Sequence, residues 1–269
     1  MFEYDIKRAF TSVSFYTIIA IAFIAVTYEI FDSMFAAWFV VKAPWGRMGM
    51  DSMIAFNYLL RFTLIAFFYP LLCVLPFGTS LSDEASSGII RMVVYRSGRN
   101  RYLKVRLLSV ALSGGVACAI SVALIALFSL IAFPLSYDNN PDTVTALRRL
   151  SAMFANLNSY TVNTFFAFSL WQILMCFIGG CIWSVVSLGI SVWFPNRYFA
   201  MAAPVVIYCA CVMLAVIANG KAQFLFPALL FGDFKDIGQL WEQILFRLAW
   251  LSLGCMSYYF GGKRLMKNV

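Results

Sequence analysis

The chain contains no histidine, and only 12% of its 269 residues carry a charge. The first absence removes the commonest general base and the commonest metal ligand together. The second excludes an ordinary soluble domain, in which about a quarter of the residues are charged. No GxxxxGK[ST] phosphate-binding loop occurs either, since Gly220-Lys221 and Gly262-Lys263 have neither the spacing nor a preceding strand. Internal repeats and low-complexity tracts are also missing. The seven cysteines (Cys73, Cys118, Cys176, Cys181, Cys209, Cys211, Cys255) all fall in apolar stretches, where they behave as small hydrophobes and not as a disulfide framework. Without histidine or nearby carboxylates, Cys209-x-Cys211 reads as structural, and no metal site is expected. Apolar surface is what the chain has in quantity: 62% of its residues are hydrophobic, and mean hydropathy is +0.84. These values predict an all-α polytopic membrane protein.

A helix needs about 20 apolar residues to cross the hydrocarbon core. On that measure six spans are expected, over Phe10–Ile30, Phe62–Ser80, Leu103–Phe133, Phe165–Phe194, Phe199–Ala218 and Ile244–Gly262. The apolar run after Lys7-Arg8 is longer than a signal-peptide core and lacks a clear cleavage site, so the first span is expected to be retained. Placing both termini on one side puts twelve bases and four acids there, against eight of each opposite. The positive-inside rule makes the basic side cytoplasmic. Outside, Phe224–Phe231 is too short to cross and holds a proline, which suits a re-entrant element. A short helix is expected near Thr143–Phe154 in the polar loop. Arg61 and Arg247, the charges associated with spans beyond the cytoplasmic boundary, are expected to snorkel outward.

The longest polar interruption of the first half is Leu81–Arg106. Ser82, Asp83 and Glu84 suit a helix N-terminus, and Gly88 breaks that helix one turn later. Ile89, Ile90, Val93 and Val94 then gather on one helical face beside Arg91 and Arg96. Ser97-Gly98 reads as a turn and Asn100 as the N-cap of the next helix. This pattern predicts a short amphipathic helix at the membrane surface. Met1–Thr11 predicts another, with Phe2, Ile6, Ala9 and Phe10 on one face and Glu3 paired with Lys7 on the other. Ala111, Gly115 and Ala119, and Gly180 with Ser184, have the small-xxx-small spacing of close helix packing.

Certain of these residues carry a resemblance. Pro70-Leu71-Leu72 through Leu75-Pro76-Phe77, then Ser82-Asp83-Glu84, Ser87-Gly88, Tyr95-Arg96 and Arg101-Tyr102 to Lys104, resemble the second span and first cytoplasmic loop of ABC-2-type permeases. These are the membrane subunits of ABC exporters, and the similarity is greatest to their small bacterial six-span members. Pro195-Asn196-Arg197-Tyr198, with Ala200 and Pro204, is similar to their turn between spans four and five. One departure is Asp83-Glu84, which stands where a Glu-Arg pair is often seen. The resemblance covers residues 1–269 as one transmembrane domain.

The resemblance implies a permease subunit of an ATP-driven exporter in a bacterial cytoplasmic membrane, with both termini cytoplasmic. It has no catalytic residues and binds no cofactor itself; ATP and Mg belong to separate cytoplasmic ABC ATPase subunits. A second permease copy or paralogue completes a dimer, lipids surround it, and nucleic acid is not a partner. The loop between spans two and three would be the coupling helix, with Asp83, Glu84, Gly88, Ile89, Arg91, Met92, Tyr95, Arg96 and Arg99 as the ATPase-coupling residues. The arginines there are available to acids of the ATPase or to lipid phosphates, and they also serve as topogenic charges. The absence of a fixed charge near the bilayer centre disfavours a proton-coupled transporter and suits an amphipathic or hydrophobic cargo, a peptide antibiotic, lipid or drug. The competing reading is a non-transporting sensor or immunity protein that binds a peptide at its outer loops.

Overall fold

The computed structural model describes residues 2–41, 52–62, 64–78, 80–133, 162–194, 196–217 and 240–265. Among them every regular element is a helix: α1 (Phe2–Phe10), α2 (Val13–Val41), α3 (Ser52–Phe62), α4 (Leu64–Val74), α5 (Ser80–Ser86), α6 (Ile89–Ser97), α7 (Arg99–Ala132), and then α8 (Val162–Trp193), α9 (Arg197–Ile217) and α10 (Leu240–Leu265). The elements expected near Thr143–Phe154 and at Phe224–Phe231 lie outside the described residues.

Three helices are long and apolar enough to cross a membrane: Arg99–Ala132, Asn163–Trp193 and Arg197–Leu214. A fourth crossing results if Glu3–Phe10 and Val13–Tyr28, bent by 42° at their junction, count as one span. Among the described residues, three helices and this bent pair thus have the length and composition of a crossing. The second expected span is broken. Its helical part α4 has 11 residues, about 16 Å at 1.5 Å per residue, and cannot cross alone. The last, α10, is continuous over 26 residues, but Arg247 interrupts its apolar run, and Lys263 and Arg264 close it.

α8 is the centre of the bundle, packed against α7, α10, α9 and α4. Side chains around Trp183, Phe165, Phe168 and Phe56 form the main core. Helices α7 and α8 approach closely because small residues face one another. A Cβ on Gly180 would lie 2.8 Å from the Gly114 carbonyl oxygen and 3.0 Å from the Gly115 Cα. Ser184, one turn on, donates its hydroxyl to the Cys73 carbonyl at 2.9 Å and so ties α4 to the same seam. The small-residue spacing thus serves packing. α10 uses the same device against α8, where a Cβ on Gly254 would meet the Val186 amide nitrogen at 3.1 Å.

Arg247 does not snorkel. Its residue is 5% exposed; Gln243, one turn before it on α10, is buried as well, as is Gln172 on α8. In hydrocarbon a polar side chain turned into the bundle replaces lipid with protein contacts, whereas one turned outward must reach the interface.

Candidate functional site

The second cluster of buried apolar side chains lies at the end of the bundle where α5, α6 and the start of α7 meet the end of α8 and α10: Phe77, Leu81, Ile90, Tyr102, Leu103 and Val110, with Leu188, Val192 and Tyr258. Gly88 makes the break between α5 and α6 with φ 71° and ψ 0°, the left-handed conformation that glycine adopts without Cβ strain. Gly98 separates α6 from α7 with φ 78° and is the cap of α7. Asn100 is therefore inside that helix and not its N-cap, because the chain has already turned at Gly98.

The expected amphipathic face of α6 is divided. Ile90 points inward at 2% exposure, and Val93 and Val94 pack behind it. Ile89, Met92 and Tyr95, by contrast, stand out at 46%, 72% and 93% exposure. They recur at i, i+3 and i+6, so α6 presents an outward apolar strip, and Arg96 beside Tyr95 is exposed as well. Gly88 is exposed in the preceding turn. Asp83 lies within α5, and Arg91 within α6. Arg99 donates from its guanidinium to the Lys263 carbonyl and so belongs to the α7–α10 corner, away from the strip.

Glu84 faces inward. The residue is 4% exposed and sits among groups from two other helices. Arg8 of α1 donates from Nη1 to its Oε1 at 2.7 Å, and Tyr102 of α7 donates its hydroxyl to Oε2 at 2.9 Å. Arg106, one turn beyond Tyr102, brings Nη2 to 2.8 Å from Oε1. That approach lies off the N–H axis, since Nη2 has no hydrogen-bond partner by geometry among the described residues, so the contact is chiefly an ion pair. Asp5 of α1 completes the group, its Oδ1 3.8 Å from Arg106 Nη1. Arg106 itself is fully buried, and its guanidinium lies over the Phe77 ring at 4.4 Å from the centroid.

Two carboxylates thus face two guanidinium groups, and the cluster is electrically neutral when all four are ionised. Neutrality is what makes it tolerable, because an isolated charge at this burial would cost several kcal/mol. Asp5, on α1 outside the helix that begins the first expected span, is held above the usual carboxyl value of 3.8: burial raises it most, and the Arg106 charge opposes that. Arg8 is the exposed member, its side chain 46% accessible. Tyr258 of α10 joins the rim of the cluster by donating to the Leu103 carbonyl at 3.2 Å. Three separate pieces of chain, α1, α5 and α7, are therefore locked together at one end of the bundle.

Of the residues expected to couple to an ATPase, the outward strip unites Ile89, Met92, Tyr95 and Arg96, while Glu84 supports it from inside. Sequence reasoning missed Asp5, Arg8, Tyr102 and Arg106. A usable signal existed: Tyr102, Arg106 and Val110 recur every four residues on one stripe of α7, which places an arginine on a buried face. No protein-family model matches the chain, and neither a curated protein nor a solved structure matches it.

Proposed function

We propose that the chain is the permease subunit of an ATP-driven ABC exporter, with α5–α6 as the element that receives the force of a separate ATPase. The observation that carries this reading is the outward strip Ile89, Met92, Tyr95 and Arg96 on α6, whose inner face packs through Ile90 and which follows α5, the helix fixed to α1 and α7 through Glu84. A helix of nine residues buries little and would not by itself keep three large apolar side chains in water. A partner surface that covers them explains their exposure. Force applied to the strip would pass through Glu84 to Arg106, at the head of a long membrane-crossing helix.

In this reading the chain has six spans, both termini on the cytoplasmic side of a bacterial membrane, and a second permease copy or paralogue. The lightly buried α9 supports the last point. Only 17% of its membrane window is buried within the chain, against 67% for α8, so α9 is free to face another subunit. The central path would be bounded chiefly by spans one, two and five. The cargo is amphipathic or hydrophobic, and Arg247, turned into the bundle, offers no charge to it.

The test is purification of the full chain in mild detergent, identification of any copurifying ATPase, and ATP turnover of the reconstituted complex. Met92→Asp and Tyr95→Ala should each leave the chain inserted yet lower ATPase recovery at least tenfold. Full recovery with both variants, or no ATPase with the wild type, refutes the assignment and favours the sensor or immunity reading.

A further inference from the structure

Away from the Glu84 cluster, α7 and α10 leave a groove between them at their basic ends. The two helices meet where a Cβ on Gly262 would lie 2.9 Å from the Leu103 side chain. The groove has a volume of about 620 Å³ and is walled by Leu103, Leu107, Met256 and Phe260, with Lys104 and Asn100 at its mouth. A second hollow of about 540 Å³ shares Asn100 and is lined by Arg99, Arg101 and Lys263. No carboxylate is among the described lining residues of either.

We propose that this groove binds one anionic phospholipid, its acyl chain against the walls and its phosphate on the rim formed by Arg99, Arg101, Lys104 and Lys263. Charge complementarity selects this occupant. Four cations without a carboxylate repel another basic surface and attract a phosphate diester, whereas apolar walls that open sideways suit a hydrocarbon chain. The volume lies within the range of about 300–1,000 Å³ that small-ligand sites occupy. The rim is held in place: the Arg99 guanidinium donates to the Lys263 carbonyl, and Lys263 Nζ sits 4.1 Å from the centroid of the Tyr259 ring. From Arg99 to Leu107 the groove descends about 12 Å along α7, which carries a chain from the headgroup level into the hydrocarbon. The proposal rests on the six-span reading only in that α10 crosses the membrane beside α7, and it stands or falls independently of the ATPase.

The experiment uses the full chain in phosphatidylcholine vesicles containing phosphatidylglycerol with a diazirine in one acyl chain, and labelled peptides are mapped after illumination. Labelling should concentrate on peptides containing Leu103, Leu107, Met256 and Phe260, and unlabelled phosphatidylglycerol should compete while phosphatidylcholine does not. Each removed cation should cost about fivefold, so Lys104→Gln with Lys263→Gln should cut groove labelling about twenty-five-fold. The corresponding arginine variants should retain it. Met256→Trp should displace the lipid by filling the groove with the rim charge unchanged. Labelling of the exposed α8 face at Phe166 and Leu170 serves as a control for folding in every variant. Equal labelling by a phosphatidylcholine analogue, insensitivity to the lysine changes with the α8 control intact, or photo-crosslinking of position 256 to a second copy of the chain would each overturn the proposal.

Discussion

Replacing Glu84 by Gln isolates the electrostatic part of the buried cluster, because the amide keeps the shape and can still accept from Tyr102. What disappears is the charge that faces Arg106, whose side chain is 1% accessible. Asp5 remains, but at 3.8 Å and with no hydrogen bond to its Oδ2 among the described residues, so it compensates poorly. Breaking a buried pair in this way costs about 3–5 kcal/mol. Arg8 supplies little of that, since an exposed partner contributes about 0–1 kcal/mol. Denaturant titration of the purified chain in mixed micelles, read by tryptophan fluorescence, should show Glu84→Gln losing about 3 kcal/mol or more and Arg8→Ala losing about 1 kcal/mol or less. Arg106→Met removes the other charge, and the double variant Glu84→Gln/Arg106→Met should be less damaged than the sum of the two by about 2 kcal/mol or more, because no unpaired charge is left. Additivity within about 0.5 kcal/mol, or a silent Glu84→Gln, would refute the claim that this ion pair holds α5 to α7.

Gly88→Ala should cost about 1–2 kcal/mol from its positive φ alone, since an added Cβ meets nothing within 4 Å; Gly88→Val should cost more and abolish cargo-stimulated ATP turnover of the complex while assembly persists. Because the pKa of folded Asp5 is raised above 3.8, the native state holds its proton more tightly, so its contribution to stability is full below 3.8 and falls as pH rises through the folded value; Asp5→Asn should remove that slope from a stability-versus-pH series. Gly180→Leu should break the α7–α8 seam and cost about 1–3 kcal/mol or prevent folding, read in the same denaturant titration. Cysteines placed at Ser97 and Lys267 in a background without the native thiols should be shielded from an impermeant reagent in intact cells, whereas Asn139 and Lys235 should label; the reverse pattern would discard the both-termini-inside topology.

The helical class and the long crossings of α7, α8 and α9 were legible because lipid demands long apolar runs, and such runs are visible without any knowledge of neighbours. The break at Gly88 was legible for a similar reason, since it is local, whereas the division of α6 between an inward Ile90 and an outward Ile89 was not. Other features depended on distant chain. Glu84 finds Arg8 seventy-six positions away and Tyr102 eighteen away, and nothing in the spacing of Leu81–Arg106 reveals an acid from α1 beside Arg106. Arg247 was misread by the same rule: an arginine near a helix end snorkels only if its face meets lipid, and here that face meets α8. The turn at Leu75–Gly78 was not legible either: composition registers how apolar a stretch is but not whether its backbone stays helical, and that turn ends α4 inside an apolar run.

The arrangement of charge explains why one end of this bundle can be both rigid and receptive. Bases at this end have two destinations: Arg106 is neutralised inside the chain by Glu84 and Asp5, whereas Arg96, Arg101 and Lys104 remain at the surface. Had Arg106 also been exposed, α5 would be tied to α7 only through Tyr102 and apolar contacts, and to α1 through the half-exposed Arg8. Had the surface bases been paired internally, nothing would favour an acidic partner or an anionic lipid at that end. The buried pair therefore sets where the α6 strip stands, and the unpaired bases set what can approach it. The two roles separate cleanly on α7, where Arg106 and Lys104 lie two residues apart and so face opposite sides of the same helix.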